Sequence, residues 1–409
     1  KEFFRRNRIK SNTGVDVPVV AVGKLGYPDI AEKAIRDGDC DMVMLARPLL
    51  ADPDWCNKAF AGNVEEIRPC IGCQEGCVNE FILGGHPQCA VNPRTGFEER
   101  FPETFTPAEK KKNIAVVGGG PAGITFALIA AKRGHNVTLY EKSEKLGGKI
   151  AVGSIPKIKF DLRNYLAYLE KQVELCQEQY QLQVHKNTTV TAELLKEKAY
   201  DSVIFAYGTK EIFPPFEGRE EANLILGTDL LEHPEKAEGA NNIVIVGGGV
   251  VGCETAHWLA NEYGKNVTVL LPHFMMGVCT ANRGHLLHYL EKSGVRLYNC
   301  TKVKALAKDG VYVEQNQSQT VPDPYNTWQP LLPPNIPNPM EKAIKEEIVE
   351  KKIPADLIVL AMGGKADETF FFEAGEEHLA KEIYNIGDSS RAGRVLEAVR
   401  GAYHLAVRI

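Results

Sequence analysis

Two stretches of the chain repeat the same order of hydrophobic and polar positions. In each stretch an apolar run ends in a glycine-rich turn, a pattern of helical period follows, and a second apolar run closes the unit. The first unit begins at Ile114–Val117 and the second at Ile243–Val246, about 130 residues later. Short apolar runs between glycine turns and helices are typical of parallel strands. The pattern therefore predicts an α/β protein with a duplicated unit.

A shorter pattern of the same kind precedes the two units. Val17–Val22 and Asp41–Ala46 are apolar runs of strand length, and Asp29–Arg36 between them has a helical pattern. They predict two parallel strands joined by a helix. A polar stretch with prolines and consecutive lysines then predicts a linker. The predicted division is 1–69 for βα units, 70–95 for a cysteine-rich segment, 96–112 for the linker, 113–238 with 345–409 for the first large domain, and 239–344 for a second domain inserted into it.

The glycine turn of the first unit has the spacing of a dinucleotide-binding fingerprint. Gly118 permits a tight turn, and Gly120 lets the backbone approach a pyrophosphate. Gly123, which follows Ala122, lets the helix and the strand pack closely. The N-terminus of that helix offers free N–H groups to phosphates, and Glu141 ends the next strand near the spacing of an acid that holds a ribose. We therefore predict a nucleotide site here.

Two further positions fit a flavin site in the same domain. Gly208 ends an apolar strand, where the backbone must pass close to a cofactor. Asp388 follows another strand just before the closing helix and can accept hydrogen bonds from a sugar-alcohol chain such as that of FAD. Taken alone, the Gly387-Asp388 pair is also compatible with an ordinary turn.

The second unit repeats the fingerprint with a different continuation. Gly247, Gly249 and Gly252 have the same spacing. The following strand runs into Leu271-Pro272-His273, with neither a carboxylate nor an arginine in the ribose position. The unit is predicted to bind a nicotinamide dinucleotide, and the choice between NADH and NADPH stays open. The alternative is a domain that keeps its fold without its ligand.

Four cysteines between the first segment and the linker form a candidate metal site. Cys70, Cys73 and Cys77 have C-x2-C-x3-C spacing, and Cys89 follows after eleven intervening residues. Thiolates suit iron–sulfur clusters and zinc alike. Structural zinc usually draws on two separated pairs, whereas three clustered ligands and a distant fourth resemble a [4Fe–4S] site. The spacing therefore favours a [4Fe–4S] cluster over zinc.

Composition narrows the class of protein. The chain has 409 residues, 44% of them hydrophobic and 25% charged, with a formal net charge of -5. These values are ordinary for a globular protein of two or three domains, and without a basic face they argue against a nucleic-acid partner. The apolar runs are far shorter than the ~20 residues of a membrane span. Ten cysteines without a secretory signal indicate a reducing, cytoplasmic location.

Together these residues resemble the iron–sulfur flavoproteins of the old yellow enzyme superfamily, such as 2,4-dienoyl-CoA reductase, 2-enoate reductase, trimethylamine dehydrogenase and the bile-acid flavin oxidoreductases. The resemblance covers nearly the whole chain. Its most specific stretches are Ala46–Pro53, Cys70–Cys77 and Cys89–Arg94, in that order. It implies an N-terminal (β/α)8 barrel with FMN, a [4Fe–4S] cluster beside it, and two C-terminal Rossmann-like domains for FAD and NAD(P)H.

On this chain the resemblance makes Val17–Val22 and Asp41–Ala46 the last two barrel strands. The loops after such strands hold phosphate. The residues implied for the FMN phosphate are Gly23, Lys24, Ala46 and Arg47. The six earlier strands, roughly 180 residues of βα units, have no counterpart here. We therefore expect the chain to be the C-terminal portion of a longer enzyme, whose catalytic proton donor lies in the missing part.

The resemblance also implies a function. Electrons would pass from NAD(P)H to FAD, to the cluster and to FMN, which would reduce an activated C=C bond of a small molecule: an enoate, a dienoyl-CoA or a steroid enone. One alternative is an amine dehydrogenase of the trimethylamine type. Others are an electron-transfer subunit that pairs with a separate barrel protein, and a zinc-stabilised flavin-binding scaffold. The substrate and the oligomeric state, including a homo-oligomer, stay open.

Overall fold

The computed structural model describes residues 14, 16–101, 104–278, 282–327, 336–339 and 342–409. All candidate site residues lie within these ranges. Parts of three predicted regions lie outside them: residues 1–13 and 15 of the first segment, 102–103 of the linker, and 279–281, 328–335 and 340–341 of the second domain. Among the described helices, none combines the length and hydrophobicity that a bilayer span requires.

The first segment forms a small α/β layer. Its elements are β1 (Val20–Val22), α1 (Pro28–Arg36), β2 (Met42–Met44), α2 (Arg47–Ala51) and α3 (Trp55–Ala61). β1 and β2 are parallel neighbours, as predicted, although each is shorter than the apolar run that predicted it. No other strand in the described ranges pairs with them. Val22 is therefore 67% exposed and Met44 56% exposed, which is unusual for parallel strands.

The cysteine segment that follows has little regular structure. It contains a π-helical turn at Glu75–Asn79 and the single turn α4 (Glu80–Ile82). A Cβ at Gly76 would lie 2.9 Å from the carbonyl oxygen of Gln88, so the two arms of the segment approach closely at a glycine.

The remainder of the chain alternates strands and helices. From the linker to the end of the first fingerprint unit, the elements are β3 (Asn113–Val117), α5 (Pro121–Lys132), β4 (Asn136–Tyr140), α6 (Lys149–Gly153), α7 (Phe160–Gln179), β5 (Leu182–His185), α8 (Ala192–Lys198), β6 (Ser202–Phe205) and β7 (Thr209–Glu211). The rest are β8 (Leu224–Leu226), α9 (Gly227–Glu232), β9 (Asn242–Val246), α10 (Val250–Tyr263), β10 (Asn266–Leu270), α11 (Arg283–Lys292), β11 (Arg296–Tyr298), β12 (Thr301–Ala307), β13 (Gly310–Asn316), β14 (Ile348–Pro354), β15 (Leu357–Leu360), β16 (Gly364–Ala366), α12 (Thr369–Glu376), β17 (Glu382–Asn385) and α13 (Val395–Ala406).

The first large sheet has five parallel strands in the order β17-β6-β3-β4-β5. Its strands are apolar on both faces because helices cover both. On one face α5, α7 and α13 pack through side chains such as Phe126, Tyr165 and Tyr403. On the other face α8 and α12 contribute Leu195 and Ala374. This three-layer arrangement is the Rossmann-like unit that the pattern predicts.

The second large sheet is also parallel, in the order β11-β10-β9-β15-β8. Helices α9, α10 and α11 cover one face, where Trp258 is fully buried. The other face is covered by the antiparallel meander β12-β13-β14, through Val311, Val313 and Ile353. Both units therefore present the carboxyl ends of parallel strands at one edge, where nucleotides bind.

The sheet order corrects part of the predicted division. We predicted residues 224–226 and 357–360 in the first large domain, but in the second sheet β15 pairs with β9 and β8 pairs with β15. Four apolar residues in a row suit either sheet, and the sequence pattern does not distinguish them. The chain crosses between the units at β7 and β16, which pair antiparallel.

Candidate functional site

The first fingerprint is a tight turn between β3 and α5 that only glycine permits. Gly118 has φ of +112°, and its N–H donates to the carbonyl of Tyr140 at 2.8 Å. A Cβ at Gly123 would overlap the carbonyl oxygen of Gly118. A Cβ at Gly120, in contrast, would meet no atom of the described residues within 4 Å. The turn therefore leaves open backbone at the N-terminus of α5.

Glu141 is buried beside this turn with its carboxylate fixed. Oε2 accepts a hydrogen bond from the Gly119 N–H at 2.7 Å. Oε1 accepts from the backbone and the hydroxyl of Ser143 at 2.9 and 2.8 Å. A recess of about 280 Å³ opens next to it, lined among others by Tyr140, Thr189 and Phe370.

Gly208 and Asp388 lie at the same edge of the sheet. Gly208 has φ of +86°, lines the recess, and leaves open space where a side chain would be. Asp388 follows β17, and its Oδ1 accepts the Gly393 N–H at 3.0 Å. A Cβ at Gly387 would lie 2.9 Å from the Cβ of Ala122, so the Asp388 turn packs against α5. The predicted residues of this site are brought together.

This arrangement fits a dinucleotide with a pyrophosphate and a ribose. The open backbone at Gly120 and the first turn of α5, a helix of 12 residues, suit phosphate oxygens. Oε2 of Glu141 still has one free lone pair for a ribose hydroxyl. The residues present therefore fit the adenosine and pyrophosphate parts of FAD.

The second fingerprint has the same backbone conformation as the first, but the side chain beside its turn is different. Gly247 has φ of +119°, and a Cβ at Gly252 would overlap the Gly247 carbonyl oxygen. Gly249 is open in the same way as its counterpart in the first unit. At the ribose position Leu271 packs against the turn, so the site fits a dinucleotide without a carboxylate at its ribose.

The four cysteines of the segment are half-buried thiols near one another. Burial raises the pKa of the Cys70, Cys73 and Cys89 thiols, that of Cys73 to about 12. The charge of Cys77 raises the pKa of Cys70 further, and the charge of Cys89 raises that of Cys73. Backbone N–H groups hydrogen-bond to these three sulfurs, and such bonds tune iron–sulfur clusters.

The same thiols do not converge on one point. Within the described ranges, no group of three or more His, Cys, Asp or Glu side chains is placed to hold a single metal ion. A zinc ion needs four ligands about 2.0–2.3 Å away, whereas a cluster of several irons holds its ligands farther apart. Four thiols suit an iron–sulfur cluster or zinc by their chemistry.

The residues predicted for an FMN phosphate lie beside this segment. Ala46 precedes α2, and the charge of the Arg47 guanidinium opposes the rise in the pKa of the Cys70 thiol. Gly23 has φ of +105° and open space around it. The Lys24 ammonium forms an ion pair with Asp161 of the first Rossmann-like unit. Lys24 is therefore directed toward α7.

Contacts that the sequence did not predict join the segment to both large units. The Tyr27 hydroxyl donates to Asp161 at 2.7 Å, next to the Lys24 ion pair. On the other side Gln74 donates to the side-chain oxygen of Asn282 at 2.6 Å, and Asn282 donates to the Gly72 carbonyl at 3.0 Å. Asn282 precedes α11 of the second unit. Its partner lies 210 positions away, and no local pattern indicates the contact.

The chain was compared with known proteins. The profile of the family described as pyridine nucleotide-disulphide oxidoreductase matches residues 112–385. NADH oxidase of Thermoanaerobacter brockii is 31% identical over 400 residues, covering 97% of this chain and 56% of that protein. Cinnamate reductase of Clostridium sporogenes is 30% identical over 400 residues, covering 97% of this chain and 54% of that protein.

A solved structure of 2-naphthoyl-CoA reductase superimposes with a TM-score of 0.83 and 28% identity, covering 98% of this chain and 55% of that one. The chain spans about half the length of the curated relatives it matches. The family profile spans most of the chain and includes both glycine turns. The chain therefore belongs to the pyridine nucleotide-disulphide oxidoreductase family, whose members are flavoproteins that use FAD and NAD(P)H.

Proposed function

We propose that this chain is the nucleotide- and cluster-binding part of an oxidoreductase that uses NAD(P)H to reduce an activated carbon–carbon double bond. FAD binds at the first fingerprint and NAD(P)H at the second. A [4Fe–4S] cluster is held by Cys70, Cys73, Cys77 and Cys89, beside an FMN phosphate at the loops after β1 and β2. When bound, these groups supply hydride transfer from NAD(P)H, one-electron transfer, and reduction of the double bond.

The chain's own residues bind the three nucleotide cofactors and orient them. Open backbone at Gly120 and Gly249 receives the two pyrophosphates, and Glu141 accepts hydrogen bonds from the FAD ribose. Asp388 accepts from the sugar-alcohol chain. Arg47 holds the FMN phosphate with two parallel hydrogen bonds, and the Gly23 backbone lets the phosphate approach. Lys24 stays with Asp161 and fixes this loop against α7.

One observation carries the proposal: the cysteine segment contacts all three parts of the chain. Lys24 of the first segment and Asp161 of the first Rossmann-like unit both approach Gly72, and Asn282 of the second unit donates a hydrogen bond to the Gly72 carbonyl. A structural metal site would stabilise one unit. A site held between three cofactor-binding parts is suited to electron transfer between them.

Two further observations support the substrate class and the barrel. Cinnamate, named in one relative, carries a double bond conjugated to a carboxylate, and 2-naphthoyl-CoA is a conjugated thioester. We therefore propose a conjugated acid, thioester or enone as substrate, by analogy. The exposed apolar side chains of β1 and β2, such as Val22 and Met44, suit strands that further barrel strands would cover.

Anaerobic purification with iron and acid-labile sulfide analysis tests the cluster. We expect both in the chain and their loss in Cys73→Ser, while FAD remains bound and is still reduced by NAD(P)H. Cys56→Ser is the matched control, because Cys56 is exposed and lies outside the segment. Zinc in place of iron, or a Cys73→Ser variant with normal iron and sulfide, would contradict the proposal.

A further inference from the structure

We propose that the second fingerprint prefers the 2′-phosphorylated dinucleotide NADPH over NADH. This inference rests on the proposed function, because it assigns the ligand of the same NAD(P)H site. It is carried by a comparison of the two Rossmann-like units, whose backbones make matching hydrogen bonds around their fingerprints. Where the backbones match, the side chains differ in charge.

Hydrogen bonds fix which residues correspond. In the first unit the Gly118 N–H donates to the carbonyl of Tyr140 at 2.8 Å. In the second unit the Gly247 N–H donates to the carbonyl of Leu270 at 3.0 Å. The residue that follows each of these carbonyls therefore occupies the same place, which we call the ribose position.

The ribose position holds Glu141 in the first unit and Leu271 in the second. A Cβ at Gly119 would lie 3.1 Å from the Cβ of Glu141, and a Cβ at Gly248 would lie 2.9 Å from the Cβ of Leu271. Each side chain therefore starts from the same point against its glycine turn. An apolar side chain replaces the carboxylate that would accept hydrogen bonds from a ribose diol.

The second difference lies two residues further on. The Asn187 N–H donates to the Ser143 carbonyl at 3.0 Å, and the Cys300 N–H donates to the His273 carbonyl at 3.0 Å. Asn187 and Cys300 also share a positive φ, +53° and +47°. Ser143 and His273 therefore correspond. Where the first unit has a hydroxyl bound to the carboxylate, the second has an exposed imidazole.

A lysine supplies the third difference. Thr188 and Thr301 correspond, because each donates its backbone N–H to the carbonyl of the ribose-position residue, at 2.9 and 2.8 Å. The next residue is Thr189, which lines the first recess, and in the second unit it is Lys302. Lys302 is exposed and makes no ion pair with any described residue.

The charges around Lys302 leave its ammonium available. Its neighbour across the strand pair is Glu314, whose carboxylate accepts a hydrogen bond from Lys304 at 2.7 Å. Relative to the first unit, the second therefore loses the Glu141 carboxylate and the Lys142 ammonium, in whose places it has Leu271 and Pro272. It gains the Lys302 ammonium and the His273 imidazole, so the balance becomes less acidic by one carboxylate. A carboxylate repels a 2′-phosphate, whereas cationic donors attract it. NADH is the rival ligand, since one relative is named an NADH oxidase.

Isothermal titration of the FAD-bound chain with NADPH and with NADH tests the inference. We expect NADPH to bind about tenfold tighter or more, the size of one charge-assisted hydrogen bond. The advantage should shrink as salt is added. Leu271→Glu should reverse the preference, and Lys302→Ala should reduce it. Lys308→Ala, which removes a charge from the turn between β12 and β13, should leave the ratio unchanged.

The outcomes separate this inference from the proposed function. Equal or tighter binding of NADH by the unmodified chain overturns the NADPH preference and leaves the NAD(P)H site intact. Failure of both dinucleotides to bind overturns the NAD(P)H site as well. The FAD content of each variant reports its folding. If Leu271→Glu does not fold, the exposed Lys302→Ala still decides, because an unchanged ratio in that variant contradicts the role of the lysine.

Discussion

Two glycines of the first fingerprint are required for different reasons. Gly123 is fixed by packing, because a Cβ there would overlap the carbonyl oxygen of Gly118. Gly120 has extended backbone, with φ of -79° and ψ of -177°, and a Cβ there would meet no atom of the described residues within 4 Å. Under the proposed function, a glycine is needed at this second position because the pyrophosphate approaches it closely. Gly123 is therefore required for folding, and under the proposed function Gly120 is required for binding, although both lie in one turn.

Alanine substitutions test this separation. Gly123→Ala should destabilise the FAD-free chain by about 1–3 kcal/mol, the usual cost of overpacking. Gly120→Ala should leave the stability of the FAD-free chain unchanged and lower its affinity for FAD, because the methyl group occupies the approach of the pyrophosphate. Urea unfolding and the flavin absorbance of the bound fraction measure the two effects. Normal FAD affinity in Gly120→Ala would mean that the pyrophosphate lies elsewhere.

The sequence predicts site residues when the groups that contact one another are close together along the chain. Gly118, Gly123 and Glu141 lie within one strand–turn–helix–strand unit, where fixed spacing determines which groups meet. Asp161 and Asn282 could not be predicted, because their partners are 137 and 210 positions away. Each begins or precedes a helix, where polar residues are common for local reasons.

At the scale of elements, strand existence was easier to predict than strand partners. The apolar runs Ile114–Val117 and Ile243–Val246 were predicted from hydrophobicity, and they form β3 and β9. Partner choice depends on the length and direction of the connections between strands. For that reason β15 pairs with β9, although the predicted division assigned its residues to the first large domain. The meander β12-β13-β14 was not predicted as a unit.

One ion pair joins the edge strand β17 to Lys112, the residue that precedes β3 of the same sheet. The Lys112 ammonium, together with the Ser202 hydroxyl, holds the pKa of Glu382 below its ordinary value. Lys112 contacts both carboxylate oxygens, at 2.9 and 2.8 Å. A lowered carboxyl pKa stabilises the folded state above the ordinary pKa of glutamate, near 4.3. This stabilisation is lost as the pH falls through the lower, folded-state pKa.

Glu382→Gln should therefore reduce the free energy of unfolding at pH 7 by about 0.5–1 kcal/mol, since solvent screens a pair that is partly exposed. The difference from the unmodified chain should vanish at a pH well below 4. Urea unfolding measured from pH 7 downward checks this. Glu376→Gln, an exposed glutamate on α12 without an ion pair among the described residues, is the control. A constant difference at every pH would show that packing, not charge, is responsible.

At the scale of the whole molecule, two parallel-sheet units and a small two-stranded layer surround one cysteine segment. The duplication and the order of the parts could be predicted from the glycine turns and the cysteine spacing. The contacts between the parts could not, since they depend on how whole units pack. The small layer differs from the other two in that its two strands pair with no further strand of the described residues and carry exposed apolar side chains.

Exposed strands of this kind recruit partners. We expect the 409-residue chain to self-associate with rising concentration, and Val22→Lys combined with Met44→Lys to weaken this association. Sedimentation velocity at several concentrations measures it. Phe372→Lys is the control, because Phe372 is 59% exposed on α12, away from the small layer. Unchanged association in the double variant would place the contact surface elsewhere.

The bond between Asn282 and the Gly72 carbonyl has a consequence for how the protein is made. A ribosome synthesises the four cysteines long before it reaches α11, so the thiols remain accessible on the nascent chain until the second unit emerges and folds. If these cysteines hold a cluster, as proposed, iron can be inserted during this interval. A mutation that delays folding of the second unit would then lower the iron content of the finished protein, although it lies far from any cysteine of the segment.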